Sequence, residues 1–224
     1  MNNTDVFLKE AVERSERLNK QALTANEHLK AIYDIRRLYR EHRQVFNLAP
    51  LFFALSYNAH ISFIHLSITK MFCSEESGDE SSIILLHDIV KKKRNGKPFD
   101  VIEYESTFSE QNTILQFGSI DEAYEIIKEE IAKKKEAINR IKARRNKYYA
   151  HMDLAKSKDY EKFFEDTEVK LSEIDELLNL NFTICNCINM VLREKTLSHE
   201  VIAPGSLDLL ASCAEKGIAE NHFL

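Results

Sequence analysis

Glycine and proline are scarce in this chain, 5 and 3 among 224 residues. A many-turned β fold needs more turn residues than that, so helices are the expected elements. Also missing are a Gly-rich phosphate loop, a GxSxG elbow, an HExxH pair and a Cys–His nucleophile pattern. Their absence sets aside the usual signatures of phosphate-loop enzymes, serine hydrolases, zinc proteases and thiol enzymes. Cysteine is sparse and scattered (Cys73, Cys185, Cys187, Cys213). Cys185 and Cys187, two apart in a helical pattern, point to different faces and read as reduced core thiols. Met1–Glu10 is polar and charged, without the apolar stretch of a signal peptide. The most apolar segment, Leu48–Cys73, is interrupted by Asn58, His60, His65 and Lys70 and reads as short of a membrane span. These features make a cytoplasmic protein with no membrane partner the expectation.

What is present is charge, 30% of residues, with a net charge of −5. Its distribution is uneven. Between Lys133 and Lys147 stand eight basic residues against one acid, Glu136. A local basic helix on an acidic protein suits a focused anion site better than a broad phosphate-tracking surface. His60 and His65 are five apart, where four would align them on one helix face, so no metal site is expected there.

Apolar periodicity predicts helices through most of the chain. Residues 6–43 read as helix, in one piece or two. Asn47 reads as the N-cap of a helix with Pro50 in its first turn, running to about Cys73. That helix is apolar on most sides, which suits the centre of a bundle or a shared interface. Ser74–Ser82 is a polar acidic loop, Ser81–Arg94 a helix ending at Asn95-Gly96, and Lys97–Gly118 shows no clear period and reads as a loop or insertion. Ser119, with Glu122 as its capping-box partner, opens one long helix buried along Ile127, Ile131, Ile138 and Ile141. Another, from about Asp159 to Glu194, carries Leu171, Ile174, Leu178, Cys185, Ile188 and Leu192 in near-heptad spacing, with polar Asn181 on the seam. Pro204-Gly205 opens a short C-terminal helix. The fold class is all-α: a helical bundle over 25–195, with an N-terminal helical extension over 1–24 and a C-terminal helical tail over 196–224.

The end of the basic helix carries the chemistry. At about 100° per residue, Ile127, Ile131, Ile138, Ile141 and Arg145 share one narrow stripe. Arg145 therefore continues an apolar seam, where a charge costs free energy until it meets a counter-charge or an anion. His151 follows six residues later, roughly 120° away on an unbroken helix. The two can share a phosphate if the helix loosens or if they act across a dimer axis. A guanidinium holds phosphate and a histidine moves protons near neutral pH, so together they suffice to cut RNA without a metal. The competing reading has Arg144 and Arg145 merely ending a helix.

The string Arg145-Asn146-Lys147-Tyr148-Tyr149-Ala150-His151-Met152-Asp153 resembles the R-(D/N)-K-x-x-A-H-x-D form of the AbiU2-like group of the HEPN superfamily, named for a phage abortive-infection protein. The resemblance covers about residues 25–195 and implies an HEPN-like bundle. It also implies a metal-independent endoribonuclease of phage defence or a toxin–antitoxin system, acting as a homodimer on RNA without a cofactor. By that resemblance Arg145 and His151 are catalytic, with Asn146 and Asp153 orienting them; Asp153 reads equally as an N-cap. The surrounding Arg140, Lys142, Arg144, Lys147 and Tyr148 are the RNA-binding candidates, though core or interface packing is the favoured role for the tyrosine. An antitoxin or regulatory protein is the implied partner. Some HEPN toxins carry a modifiable tyrosine two places after the histidine; here Asp153 stands there, so that control is not expected. A catalytically silent HEPN-like RNA- or protein-binding module is the alternative, and a purely structural interaction module using Leu48–Cys73 is a third.

Overall fold

In the computed structural model, residues 3–72, 81–94, 104–108, 113–117, 120–146 and 160–193 are described. The elements run α1 (Asn3–Glu41), α2 (Arg43–Leu48), α3 (Pro50–Phe72), α4 (Ser82–Arg94), β1 (Tyr104–Phe108), β2 (Thr113–Phe117), α5 (Ile120–Lys133), α6 (Lys135–Arg144), α7 (Tyr160–Asp166) and α8 (Leu171–Arg193). The class is all-α, as expected, with one departure. The segment read as a loop holds an antiparallel hairpin, Tyr104 opposite Phe117 and Phe108 opposite Thr113. Its Thr, Ile, Tyr and Phe content favours strands, but each strand is only five residues long. Alternation over so short a run is easily lost among helical neighbours.

The chain divides into two units, one of residues 1–23 and 65–199 and the other of 24–64 and 200–224. In the first, α4, α5 and α8 pack on one another. Their core includes Leu85, Leu86, Ile89, Ile120, Ile127, Ile174 and Phe182, all at most 2% exposed. Full burial of such side chains contributes about 1.5–3 kcal/mol each. Buried hydroxyls and amides in this unit pair with one another. Ser82 Oγ donates to Asn181 Oδ1 at 2.7 Å, and Ser15 and Asn19 donate to Asn189 Oδ1 at 2.7 and 3.0 Å. Asn181 is thus the buried seam residue that its spacing predicted. Cys185 and Cys187 are buried free thiols, and burial pushes both up to about 12, so neither is a nucleophile at neutral pH.

In the second unit Ile35, Leu38 and Phe46 form a small core, with Phe53 and Tyr57 packed on it. Asn47 does not cap α3; it lies within α2, and Ala49 occupies the cap position, its carbonyl accepting the Phe53 N–H at 3.3 Å. The residue before a proline is driven out of helical geometry, which fixes the break at Ala49. Pro50 then opens α3, where its missing N–H costs nothing. By length and composition α3 could cross a membrane, more readily than its polar interruptions suggested. Near its end, however, Ile68 and Met71 are 0% exposed and belong to the core of the first unit. Its start is the opposite: Leu51, Phe52 and Leu55 are 60–70% exposed.

Two long helices expected from the sequence are each divided. The first breaks at Lys134, whose N–H is shared between the carbonyls of Glu130 and Ile131. Lys134 falls where the apolar stripe calls for a hydrophobic residue, and the irregular turn lets its ammonium reach Glu176 on α8. The second breaks between Asp166 and Leu171. There the Thr167 hydroxyl donates back to the Phe163 carbonyl at 2.6 Å, closing α7. Glu173 takes the Lys170 N–H at 2.9 Å, opening α8 as the returning arm of a capping box does. The proposed Ser119 cap, the acidic loop after Cys73, Asn95-Gly96, Cys213 and the helix after Pro204 lie outside the described residues.

Candidate functional site

The structure confirms the apolar stripe that leads to Arg145. Ile127 and Ile141 are 0% exposed and Ile138 is 7%, while Ile131 and Arg145 are half-buried. The Arg145 N–H reaches both the Ile141 and Lys142 carbonyls, and α6 widens there into a π turn at Arg145 and Asn146. Such widened turns interrupt α-helices mostly as single turns and often at functional sites. The 120° separation deduced for an unbroken helix therefore need not hold past Arg145.

Arg145 Nη1 donates to Asn146 Oδ1 at 2.9 Å. The amide oxygen restricts a side chain that otherwise has many rotamers. The contact involves Arg145 and Asn146 alone of the residues that the resemblance singles out. His151, Asp153, Lys147 and Tyr148 lie outside the described residues.

The basic residues of α6 differ in what holds them. Arg140 pairs through Nη2 with Glu173 Oε1 on α8. Burial alone would raise the Glu173 carboxyl, but the Lys170 amide and the Arg140 guanidinium more than offset this and hold it below the usual carboxylate range. Arg144 Nε donates to Thr167 Oγ1 at 3.2 Å. Two of the RNA-binding candidates thus tie the motif-bearing helix to α8 and to the turn that precedes it. Lys142 is half-buried.

His65, which the sequence offers as a polar break in an apolar helix and as a poor metal-ligand candidate, belongs to this neighbourhood. It is 1% exposed, and burial, reinforced by the Arg144 charge, pushes its pKa down to about 4. The ring is neutral at physiological pH. Its position on the buried face of α3, between Ile64 and Ile68, was the available sequence signal. In the other unit His60 faces His28 with its Nδ1 2.8 Å from the His28 Nδ1, and His28 stacks on Phe63. One ring must donate and the other accept, so both cannot carry a second proton and keep the bond. Burial lowers the pKa of both, and the His60 charge lowers that of His28 further.

No curated protein and no solved structure matches the chain. The HEPN_AbiU2 family model, described as AbiU2, matches residues 8–208, which includes the arginine motif and all but the two ends. The chain belongs to the AbiU2 family of HEPN domains.

Proposed function

We propose that this protein is a metal-independent endoribonuclease in which Arg145 clamps the scissile phosphate and His151 transfers protons. The observation that carries the reading is the Arg145–Asn146 hydrogen bond at the π turn, at the end of a buried stripe. A guanidinium held in place before substrate arrives needs little reorganisation when charge develops on phosphorus, which is how electrostatic preorganisation accelerates reactions. Membership of an abortive-infection-related family supports a role in phage defence or a toxin–antitoxin system.

In this mechanism the ribose 2′-oxygen attacks phosphorus as its proton passes to a base. The bond to the 5′-oxygen breaks, that oxygen takes a proton, and a 2′,3′-cyclic phosphate remains. His151 serves as the base or the acid, and a positioned group of this kind contributes about 10²–10⁴ in rate. The protein acts as a homodimer in the cytoplasm, restrained by an antitoxin or regulatory protein.

A silent RNA- or protein-binding module is the second reading. The engagement of Arg140 and Arg144 by Glu173 and Thr167 favours it, because those cations already serve the fold. One experiment separates the two. Purified protein is incubated with a labelled transcript in EDTA, beside Arg145→Ala and His151→Ala. EDTA-resistant cutting that leaves cyclic phosphate ends and vanishes in both variants supports the nuclease. Cutting that persists in both removes these residues from the mechanism, and a folded wild type that cuts nothing leaves the binding module.

A further inference from the structure

The unit of residues 24–64 holds a cavity of about 800 Å³ between the end of α1, α2 and the start of α3. That volume suits a group of small-molecule size. Its wall is aromatic and fixed: Phe46 and Phe53 stack at 3.8 Å, and Tyr39 meets Phe46 edge-on. Its mouth is aromatic and accessible, with Tyr33 44% and Tyr39 48% exposed.

Arg36 and Arg40 line the same cavity. They stand one turn apart on α1, about 6 Å along its axis. Their neighbour Arg37 is paired with Asp34 and Glu41, at 3.5 and 3.0 Å. Among the described residues neither Arg36 nor Arg40 has a carboxylate partner. The cavity therefore offers exposed tyrosine rings at its mouth and two guanidinium forks that have no carboxylate partner among the described residues.

We propose that this cavity binds single-stranded RNA, taking one unstacked base against the exposed tyrosine rings at its mouth and the adjoining phosphates on Arg36 and Arg40. Bases stack on tyrosine and phenylalanine whatever their sequence, and duplexes do not offer a free face. Arginine forks match phosphate oxygens in pairs. The tyrosine hydroxyls and the Asn47 amide supply hydrogen-bonding groups for a base edge. A second copy of this chain is a poorer occupant, since a two-fold contact centred here would set the arginines of both copies against each other. The site shares no residue with the Arg145 motif. It takes from the nuclease reading only that RNA is the ligand class.

The test uses the full chain and a short fluorescent 2′-O-methyl RNA strand, which has no free 2′-hydroxyl and so cannot be cut by 2′-oxygen attack. Binding is followed by anisotropy against salt. Replacing Arg36 and Arg40 together by Gln is expected to weaken binding at least about tenfold and to flatten its salt dependence. Tyr39→Leu, which keeps bulk and loses the ring, is expected to weaken it about fivefold or more at unchanged salt slope. All three side chains are exposed, and an unchanged helical circular dichroism spectrum confirms the fold. Unaltered affinity in the variants, or no binding by the wild type, overturns the site. So does loss in the arginine variant alone, which would mean a charged patch without a base pocket. Adenosine monophosphate competing as well as the strand, mole for mole, would mean a mononucleotide site and also overturns it. Arg145→Ala is the independent arm: loss of cutting there with strand binding intact bears on the nuclease alone.

Discussion

At the scale of single residues, His65 couples the site to pH. Its side chain is fully buried, and its pKa in the folded chain is about 4 against an ordinary 6.5. The unfolded chain therefore binds more protons between these values, so stability falls as pH falls. The contribution is fully present above about 6.5 and fully lost below about 4. The cost across that window is on the order of 3 kcal/mol. Urea unfolding at a series of pH values should show this loss, and His65→Leu should remove it while the background from carboxylates persists. An equally steep slope in the variant would place the effect elsewhere. Asn146 offers a second residue-scale prediction. If its amide oxygen holds the Arg145 fork, Asn146→Ala should lower the rate of RNA cutting about tenfold, as loss of one hydrogen bond in a transition-state-binding group does. Asn146→Asp, which keeps the acceptor, should lose less. Equal loss in both would sink the orienting role.

At the scale of elements, Glu173 joins α6 to α8 with one carboxylate. One oxygen receives the Lys170 N–H that opens α8 and the other receives Arg140. Glu173→Ala should lower stability by about 1–2 kcal/mol, the sum of a lost cap and a partly exposed ion pair. Glu173→Gln should recover the capping part, since its amide oxygen still accepts. A denaturant midpoint unmoved in the Ala variant would mean that the junction contributes nothing. This junction also shows where the sequence was readable. The stripe from Ile127 to Ile141 marks Arg145 because burial follows local helical period, which needs no knowledge of neighbours. The Asn181 seam is legible for the same reason. The Arg140–Glu173 pair joins residues 33 apart, and no local pattern reports which distant carboxylate an arginine meets. The divided helices at Lys134 and at Thr167–Lys170 turn on a few hydrogen bonds, each competing with a continuing helix by about 1 kcal/mol, below what apolar periodicity resolves. His65 was overlooked because a histidine within an apolar stripe looks the same whether it fills a core or serves a site.

At the scale of the whole molecule, the question is whether one chain completes the site. Arg145 and His151 would stand roughly 120° apart on an unbroken helix, too far round to grip one phosphate. The helix does leave α geometry at Arg145, but a widened turn alters that angle without a built-in bias toward closing it. A two-fold axis beside the motif solves the geometry differently, by setting Arg145 of one copy against His151 of another, and isologous contacts make two such sites at once. On the proposed mechanism the Arg145→Ala and His151→Ala chains are each expected to be inactive, and mixing them should then restore cutting. Random exchange makes half the dimers mixed, each with one complete site of two, so roughly a quarter of wild-type activity is expected. The mixture should be unfolded and refolded together, and its dimer content checked by sedimentation, so that failure to exchange cannot mimic failure to complement. Mixed dimers that form and cut nothing would place both groups of each site on the same chain, and would make the π turn the device that brings them together.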